Sequence, residues 1–301
     1  EGGEVVNVLP LFQAVGMDFT SSFLFGLRHG TRYLFDIPEW KLWLEEYERF
    51  KYLSRDDRFM GFIEGWCLGL CAGVEASQKQ DVFGDEDKLP STNPVVYDQL
   101  HQSLLNQKEY DSRPLNLVVA SELLDHLIAG HETSGITFTY MMWELSQHPE
   151  VEAELRKELL TLSPSLQYPA TDGEKPLPAP SAIDALPLLD AIVRETLRLH
   201  SPAPTQLPRV TPTTEKGTSL HGYDSIPGGV RVSSTAYSLH RISEIYPRPL
   251  EWLPRRWIEA GDNIHDMRRL FWAFGSGGRM CLGSNFALQG MPPEYGFRRT
   301  H

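Results

Sequence analysis

The segment PEWKLWLEEYERF (38–50) places Trp40, Trp43, Leu44 and Tyr47 at intervals of three and four residues, with charged residues between them. That period gathers the four on one helical face and predicts an amphipathic helix opened by Pro38. A second helical pattern over about 58–79 stops in VFGDEDKLPSTNP (82–94), where acids, Gly84, Pro90 and Pro94 predict a solvated loop. The longest signal runs from Leu115 to Gln147 and continues past Pro149 in VEAELRKELL. Its middle, SELLDHLIAGHETSGITFTYMMWEL, is apolar on most sides, which predicts a helix buried through the core. Residues 161–187 hold six prolines with little periodicity and read as a surface connection. LLDAIVRETLRLH (188–200) reads as a short helix. Beyond Pro202, LHGYDSIPGGVRVSS reads as a hairpin around a Pro-Gly-Gly turn, with Val230 and Val232 alternating. The expected fold is mainly α with a small β part.

Composition narrows the function. With 301 residues, 41% of them hydrophobic, the chain can bury a large core. Lys and Arg total 28 against 40 acids, a net charge of -12, which argues against a nucleic acid held through its phosphates. Three scattered cysteines make no disulfide framework and suit a reducing compartment. Cys67 and Cys71, one turn apart in GFIEGWCLGLCAG, have no further Cys or His beside them at ligand spacing and read as small core residues. The apolar run VVNVLPLFQAVGMDFTSSFLFGL is broken by Pro10, Gln13, Asp18 and Thr20, so neither a membrane span nor a signal peptide is visible.

The third cysteine sits in FGSGGRMCLG (274–283), behind three glycines and Arg279. Gly275, Gly277 and Gly278 permit backbone conformations closed to other residues and let the main chain lie against something broad and flat. LGSNFALQ begins like a helix, whose N-terminal amides favour a thiolate. Haem, planar, anionic and iron-bearing, accounts for these features together, with the thiolate on iron and the arginine on a propionate. The plainer alternative is a turn holding an unreactive thiol. Two further motifs bear on the choice. AGHET (129–133) interrupts the apolar central helix with His131, Glu132 and Thr133, beside the small Ala129 and Gly130, which let a flat ring approach. Thr133 there either bonds back to its own helix or holds bound oxygen and relays protons. ETLR (195–198) puts Glu195 and Arg198 on one helical face, and Arg256 of PRRW offers the further partner a buried pair needs.

AGHET, ETLR, His240-Arg241, PRRW and FGSGGRMCLG, in this order over residues 115–290, resemble the cytochromes P450 of eukaryotic, fungal-like type. The last motif matches Phe-x-x-Gly-x-Arg-x-Cys-x-Gly at every fixed position. The resemblance implies a haem-thiolate monooxygenase that inserts one atom of O2 into a small organic substrate. It implies haem b as cofactor, Cys281 as axial ligand to its iron, and Phe274 packed near the sulfur. It further implies Glu132 and Thr133 at the oxygen site, Ala129 and Gly130 beside the ring, and Arg209 of LPRV as a second propionate contact. Glu195, Arg198 and Arg256 become a structural triad behind the haem. The implied electron donor is NADPH–cytochrome P450 reductase or a similar protein. Arg248, Arg255, Arg268 and Arg269 form either its docking patch or an ordinary solvated face.

Departures from the family pattern accompany the likeness. The expected arrangement is a single partial domain over 1–301, incomplete at both ends. It comprises a helical part at 1–160, the proline-rich connection at 161–187, and the ETLR helix, small sheet and cysteine loop at 188–291. The numbering is expected to begin inside the family's domain, after any N-terminal anchor that would hold the full-length parent on the cytosolic face of the endoplasmic reticulum. Pro292 and Pro293 stop the helix after Cys281 early, and Arg255 stands where the family usually has glutamate. Two alternatives stay open: a catalytically incompetent truncated remnant, and a cysteine-based enzyme without haem.

Overall fold

The computed structural model describes residues 6–53, 57–80, 93–106, 113–164, 177–214, 216–220 and 222–288. Most of the loop expected at 82–94, the middle of the proline-rich connection and the segment holding Pro292 and Pro293 lie outside these ranges. Two compact units, 1–139 and 140–301, meet within one long helix. The boundary between them falls inside the central helix, Leu115–Gln147.

The regular elements of the first unit are all helices among its described residues. It contains α1 (Leu9–Phe25), α2 (Ile37–Leu53), α3 (Asp57–Gln80), α4 (Val95–Asn106) and the larger part of α5 (Leu115–Gln147). Its core follows the expected period of α2: Trp40 stacks on Trp43 at 5.6 Å, and Trp43 on Tyr47 at 5.0 Å. Ile63, Cys67, Cys71 and Val74 of α3 and Leu123 and Leu127 of α5 complete it. Cys67 and Cys71 are thus core residues, with the Cys67 thiol donating to Ala120 O at 3.3 Å. The connection from α1 to α2 hangs on Asp18, whose carboxylate accepts from Thr31 Oγ1 (2.7 Å) and the amides of Tyr33 (2.8 Å) and Leu34 (3.0 Å). One exposed-side carboxylate thereby satisfies three donors that a turn would otherwise leave open.

The second unit packs around a short helix. α5 ends at Gln147, and Pro149 starts α6 (Pro149–Leu159); α7 (Pro180–Asp184) and α8 (Pro187–Leu199) follow. Pro187 occupies the first turn of α8, and Glu158 of α6 caps it by accepting from the amides of Leu188 and Leu189, both at 2.9 Å. α8 buries apolar residues on two sides. Leu188 and Ile192 pack with Leu145, Leu155 and Trp252, while Ala191 and Leu197 pack with Tyr246, Trp257, Met267 and Phe271. Four strands follow: β1 (Gln206–Val210), β2 (Thr218–Leu220), β3 (Tyr223–Ile226) and β4 (Arg231–Thr235). Short helices α9 (Ala236–Leu239), α10 (Arg256–Glu259), α11 (Ile264–Arg269) and α12 (Ser284–Ala287) complete the unit.

Two expectations are corrected here. The hairpin expected around Pro227-Gly228-Gly229 does not form: β4 pairs antiparallel with β1, Arg209 opposite Val232, and β2 pairs with β3. Thr211 explains the exchange. Its Oγ1 donates to Pro227 O at 2.6 Å and accepts from the Val230 amide at 3.0 Å, and its backbone bonds Val230 O and Gly229 N, both at 3.0 Å. The Pro-Gly-Gly turn is therefore tied to the end of β1, and Gly229 takes the positive φ of 83° this requires. The second correction concerns α5, which is not buried all round. Phe138, Tyr140, Met142 and Trp143 are exposed, because apolar composition tells what a face can bury and not what covers it.

Candidate functional site

The four residues His131 to Thr133 and Gly130 diverge around α5, as a rotation of about 100° per residue demands. His131 turns inward and is fully buried, edge-on to Trp43 at 5.2 Å and Tyr47 at 5.1 Å. Burial holds its pKa down at about 4, so the ring is neutral at ordinary pH. Glu132 points to α2, where it pairs with Lys51 and lies against the Tyr47 hydroxyl. Thr133 Oγ1 donates to Ala129 O at 2.7 Å, the back-bond open to any mid-helix threonine, and Thr137 and Thr139 do the same at 2.8 Å. Ala129 is exposed on the same side as Thr133. Gly130 has a different use: a Cβ there would meet Thr20 Oγ1 of α1 at 2.3 Å, so its small size serves the approach of two helices.

In the second unit, ETLR builds a network with nothing left over. Glu195 and Arg198 are both 0% exposed and joined by two bonds, Nε to Oε2 at 2.9 Å and Nη2 to Oε1 at 2.8 Å. Arg256 Nε reaches Glu195 Oε1 at 2.9 Å, as does the Leu253 amide, and Trp257 Nε1 donates to Oε2 at 2.9 Å. The remaining Arg198 donors go to the carbonyls of His240 (2.9 Å), Pro249 (2.7 Å) and Glu251 (3.0 Å). All five guanidinium N–H groups are used, which is what a buried arginine requires. Arg256 spends its other donors on Pro247 O and Arg248 O. The structure thus brings Glu195, Arg198 and Arg256 together, and adds Trp257 and the Leu253 amide, which no spacing in the sequence announced.

The cysteine loop leaves the same unit's core at Phe274, which packs half-buried beside Phe271 and Met267. Gly275 and Gly277 take φ of 71° and 73°, conformations other residues adopt only under strain. Cys281 N donates to Phe274 O at 2.8 Å, closing the loop and leaving the Cys281 side chain exposed. Leu282 beside it is 83% exposed. A Cβ at Gly277 or Gly278 would touch nothing, whereas one at Gly275 would meet Leu207 of β1 at 3.5 Å. β1 therefore packs on the loop through Leu207, and strand alternation puts Arg209 on the same face two residues on. The helix expected after Cys281 is a single described turn, α12, so it lends the sulfur little of a dipole.

Charge around the loop is uneven. Arg248 pairs with Glu251 at 3.1 Å, Arg255 with Glu154 at 2.6 Å, and Arg269 with Asp266 at 3.0 Å, so much of the expected docking patch is an acid-balanced, solvated face. Arg209 and Arg279 are exposed and have no carboxylate partner among the described residues. Among the described residues an exposed thiol, glycines with open space beside them and two guanidinium groups without a carboxylate partner are the kinds of group that an anionic haem would need.

A family model described as Cytochrome P450 matches residues 82–292. The chain belongs to the cytochrome P450 family. It is 28% identical over 302 residues to cytochrome P450 monooxygenase avaI of Aspergillus versicolor, covering 95% of this chain and 67% of that protein. Cytochrome P450 monooxygenase aneF of Aspergillus aculeatus is 35% identical over 311 residues, 95% of this chain and 58% of that protein. Cytochrome P450 3A12 of the dog is 32% identical over 200 residues, 65% of this chain and 37% of that protein. The chain spans about two thirds or less of the length of these relatives. Among the described residues the chain is mostly helical with two small antiparallel sheets, consistent with the fold of that family. Among the described residues no helix is long and apolar enough to cross a membrane.

Proposed function

We propose that this chain is the haem-carrying part of a monooxygenase that inserts one atom of O2 into a small organic substrate. The exposed Cys281 in its glycine-framed loop carries the reading. Haem b, when bound, supplies the activation of dioxygen and the oxidation of a C–H bond. The chain's residues do the rest. Cys281 Sγ would hold the iron of that group, and Phe274, half-buried at the start of the loop, would shield one side of it from water. Arg209 and Arg279 hold the propionates through charge-assisted bonds. On α5, Ala129 would leave room for the group, and the Thr133 hydroxyl and Glu132 carboxylate would hold and move protons. Thr133 can leave its back-bond to Ala129 O cheaply, and Glu132 is paired with Lys51. Glu195, Arg198 and Arg256 fix the loop's footing. Electrons come from NADPH–cytochrome P450 reductase or a similar donor, and the enzyme works on the cytosolic face of the endoplasmic reticulum.

Haem added to the purified chain is expected to bind one-to-one, measured by absorbance titration. Arg279→Gln and Arg209→Gln are each expected to weaken it about tenfold, the loss of one charged hydrogen bond. Saturable binding unchanged by both substitutions contradicts the propionate assignment. A folded chain that takes up no haem supports instead the reading of a catalytically incompetent remnant. Thr133→Ala is expected to melt within about 0.5 kcal/mol of the parent, since it exchanges a weak back-bond for better helix propensity. In the haem-loaded protein supplied with a reductase it should separate oxygen consumption from product formation. Tight coupling retained in Thr133→Ala contradicts a proton role.

A further inference from the structure

His240 connects the buried ion pair to the cysteine loop through both of its ring nitrogens. Its imidazole is fully buried, stacked on Phe271 at 5.4 Å and edge-on to Tyr246 at 6.3 Å. Nε2 accepts from the backbone amide of Trp272 at 2.9 Å. An amide N–H can only donate, so Nε2 is unprotonated and the proton sits on Nδ1. Nδ1–H donates to Arg198 O at 2.9 Å, while Arg198 Nη1 returns a bond to His240 O at 2.9 Å. Residues 198 and 240 thus clasp each other twice. Burial, the largest influence, keeps the ring neutral, with a pKa of about 4, which preserves the acceptor.

Trp272 begins the turn that starts the loop. Its carbonyl accepts from Gly275 N at 3.0 Å, and Phe274 O, two residues on, accepts from Cys281 N at 2.8 Å. An unbroken path of hydrogen bonds and covalent chain therefore runs from Glu195 through Arg198, His240 and Trp272 to the base of Cys281. Beyond the bond of the Phe271 amide to Arg268 O at 3.3 Å, the contacts described for Phe271, Ala273 and Phe274 with this unit's core are apolar packing, which fixes depth but not rotation about the chain. A hydrogen bond to the Trp272 amide sets that rotation.

We propose that His240 is a positioning residue for the cysteine loop: it fixes the Trp272 peptide relative to Arg198 and so sets the direction in which Cys281 presents its sulfur. This rests on Cys281 being the iron ligand, but its first consequence does not need haem. Exchange of the Trp272 amide, followed by mass spectrometry or NMR in the haem-free protein, is the readout. His240→Phe keeps the stacking on Phe271 and loses both polar bonds. It is expected to speed Trp272 exchange at least about tenfold while the amides of α8 keep their protection. His240→Gln, which can both donate and accept, is expected to restore much of the slow exchange. With haem bound, His240→Phe is expected to lose part of the thiolate-type carbon monoxide band and His240→Gln to regain it. Trp272 exchange unchanged in His240→Phe overturns the proposal. So does exchange accelerated equally across α8 and β1 in both variants, which marks general destabilisation. If the unsubstituted protein lacks a thiolate band while the exchange pattern holds, the ligand assignment fails and the His240 anchor stands.

Discussion

Glu195→Ala is expected to destabilise the second unit by about 3–5 kcal/mol, the cost of leaving buried charge without its partner. Its carboxylate accepts from Arg198, Arg256, Trp257 Nε1 and the Leu253 amide. Removing it strands two guanidinium groups and two further N–H donors at once. Arg198 is 0% exposed and cannot reach water without opening the packing on Tyr246, whose ring lies 5.4 Å from its guanidinium carbon. Urea or thermal unfolding measures the loss, and loss of the cooperative transition for the second unit is the extreme form of the same outcome. Lys51→Met gives the contrast. Its pair with Glu132 is 46% and 24% exposed, and breaking it should cost at most about 1 kcal/mol. A Glu195→Ala protein as stable as the parent contradicts the network's structural role.

Replacing Cys281 by histidine is expected to change the chemistry without changing the fold. The residue is exposed and its anchoring bond, Cys281 N to Phe274 O, belongs to the backbone, so a bulkier side chain meets no packed neighbour. Haem bound by Cys281→His should show a nitrogen-ligated ferric spectrum, because imidazole replaces thiolate as the donor. Cys67→Ala and Cys71→Ala should leave the spectrum alone, since both thiols lie in the core of the first unit. Their cost is in stability, where two small buried side chains lose their contacts. A thiolate-type spectrum persisting in Cys281→His means that another sulfur binds the iron.

How far the sequence could be read depended on how local each signal was. The bounds of α5 follow from a long stretch, apolar on most sides, that ends just before Pro149. The Glu195–Arg198 pairing is legible because three residues bring two side chains to one helical face. Arg256 needed a motif, and Trp257 and the Leu253 amide had no signal, since they lie about sixty residues away and enter through packing. His240 was visible as half of a motif but its partners were not: a ring nitrogen accepting from a backbone amide leaves no mark on residue identity. The strand exchange was lost for a similar reason. Val230 and Val232 alternate correctly for either partner, and only the Thr211 bonds to the Pro-Gly-Gly turn decide for β1. Gly130 shows the converse error available to sequence reading, a small residue beside a polar motif whose smallness serves a neighbouring helix.

The most direct measurement is the absorption spectrum of the haem-loaded protein, reduced and exposed to carbon monoxide, in a chain where Cys281 is the only cysteine left. If Cys281 supplies the thiolate, the Cys67→Ala, Cys71→Ala protein shows the thiolate-type carbon monoxide band. Restoring both core cysteines while replacing Cys281 with serine removes it. A haem-loaded single-cysteine protein without that band, or one with the band after Cys281→Ser, contradicts the account.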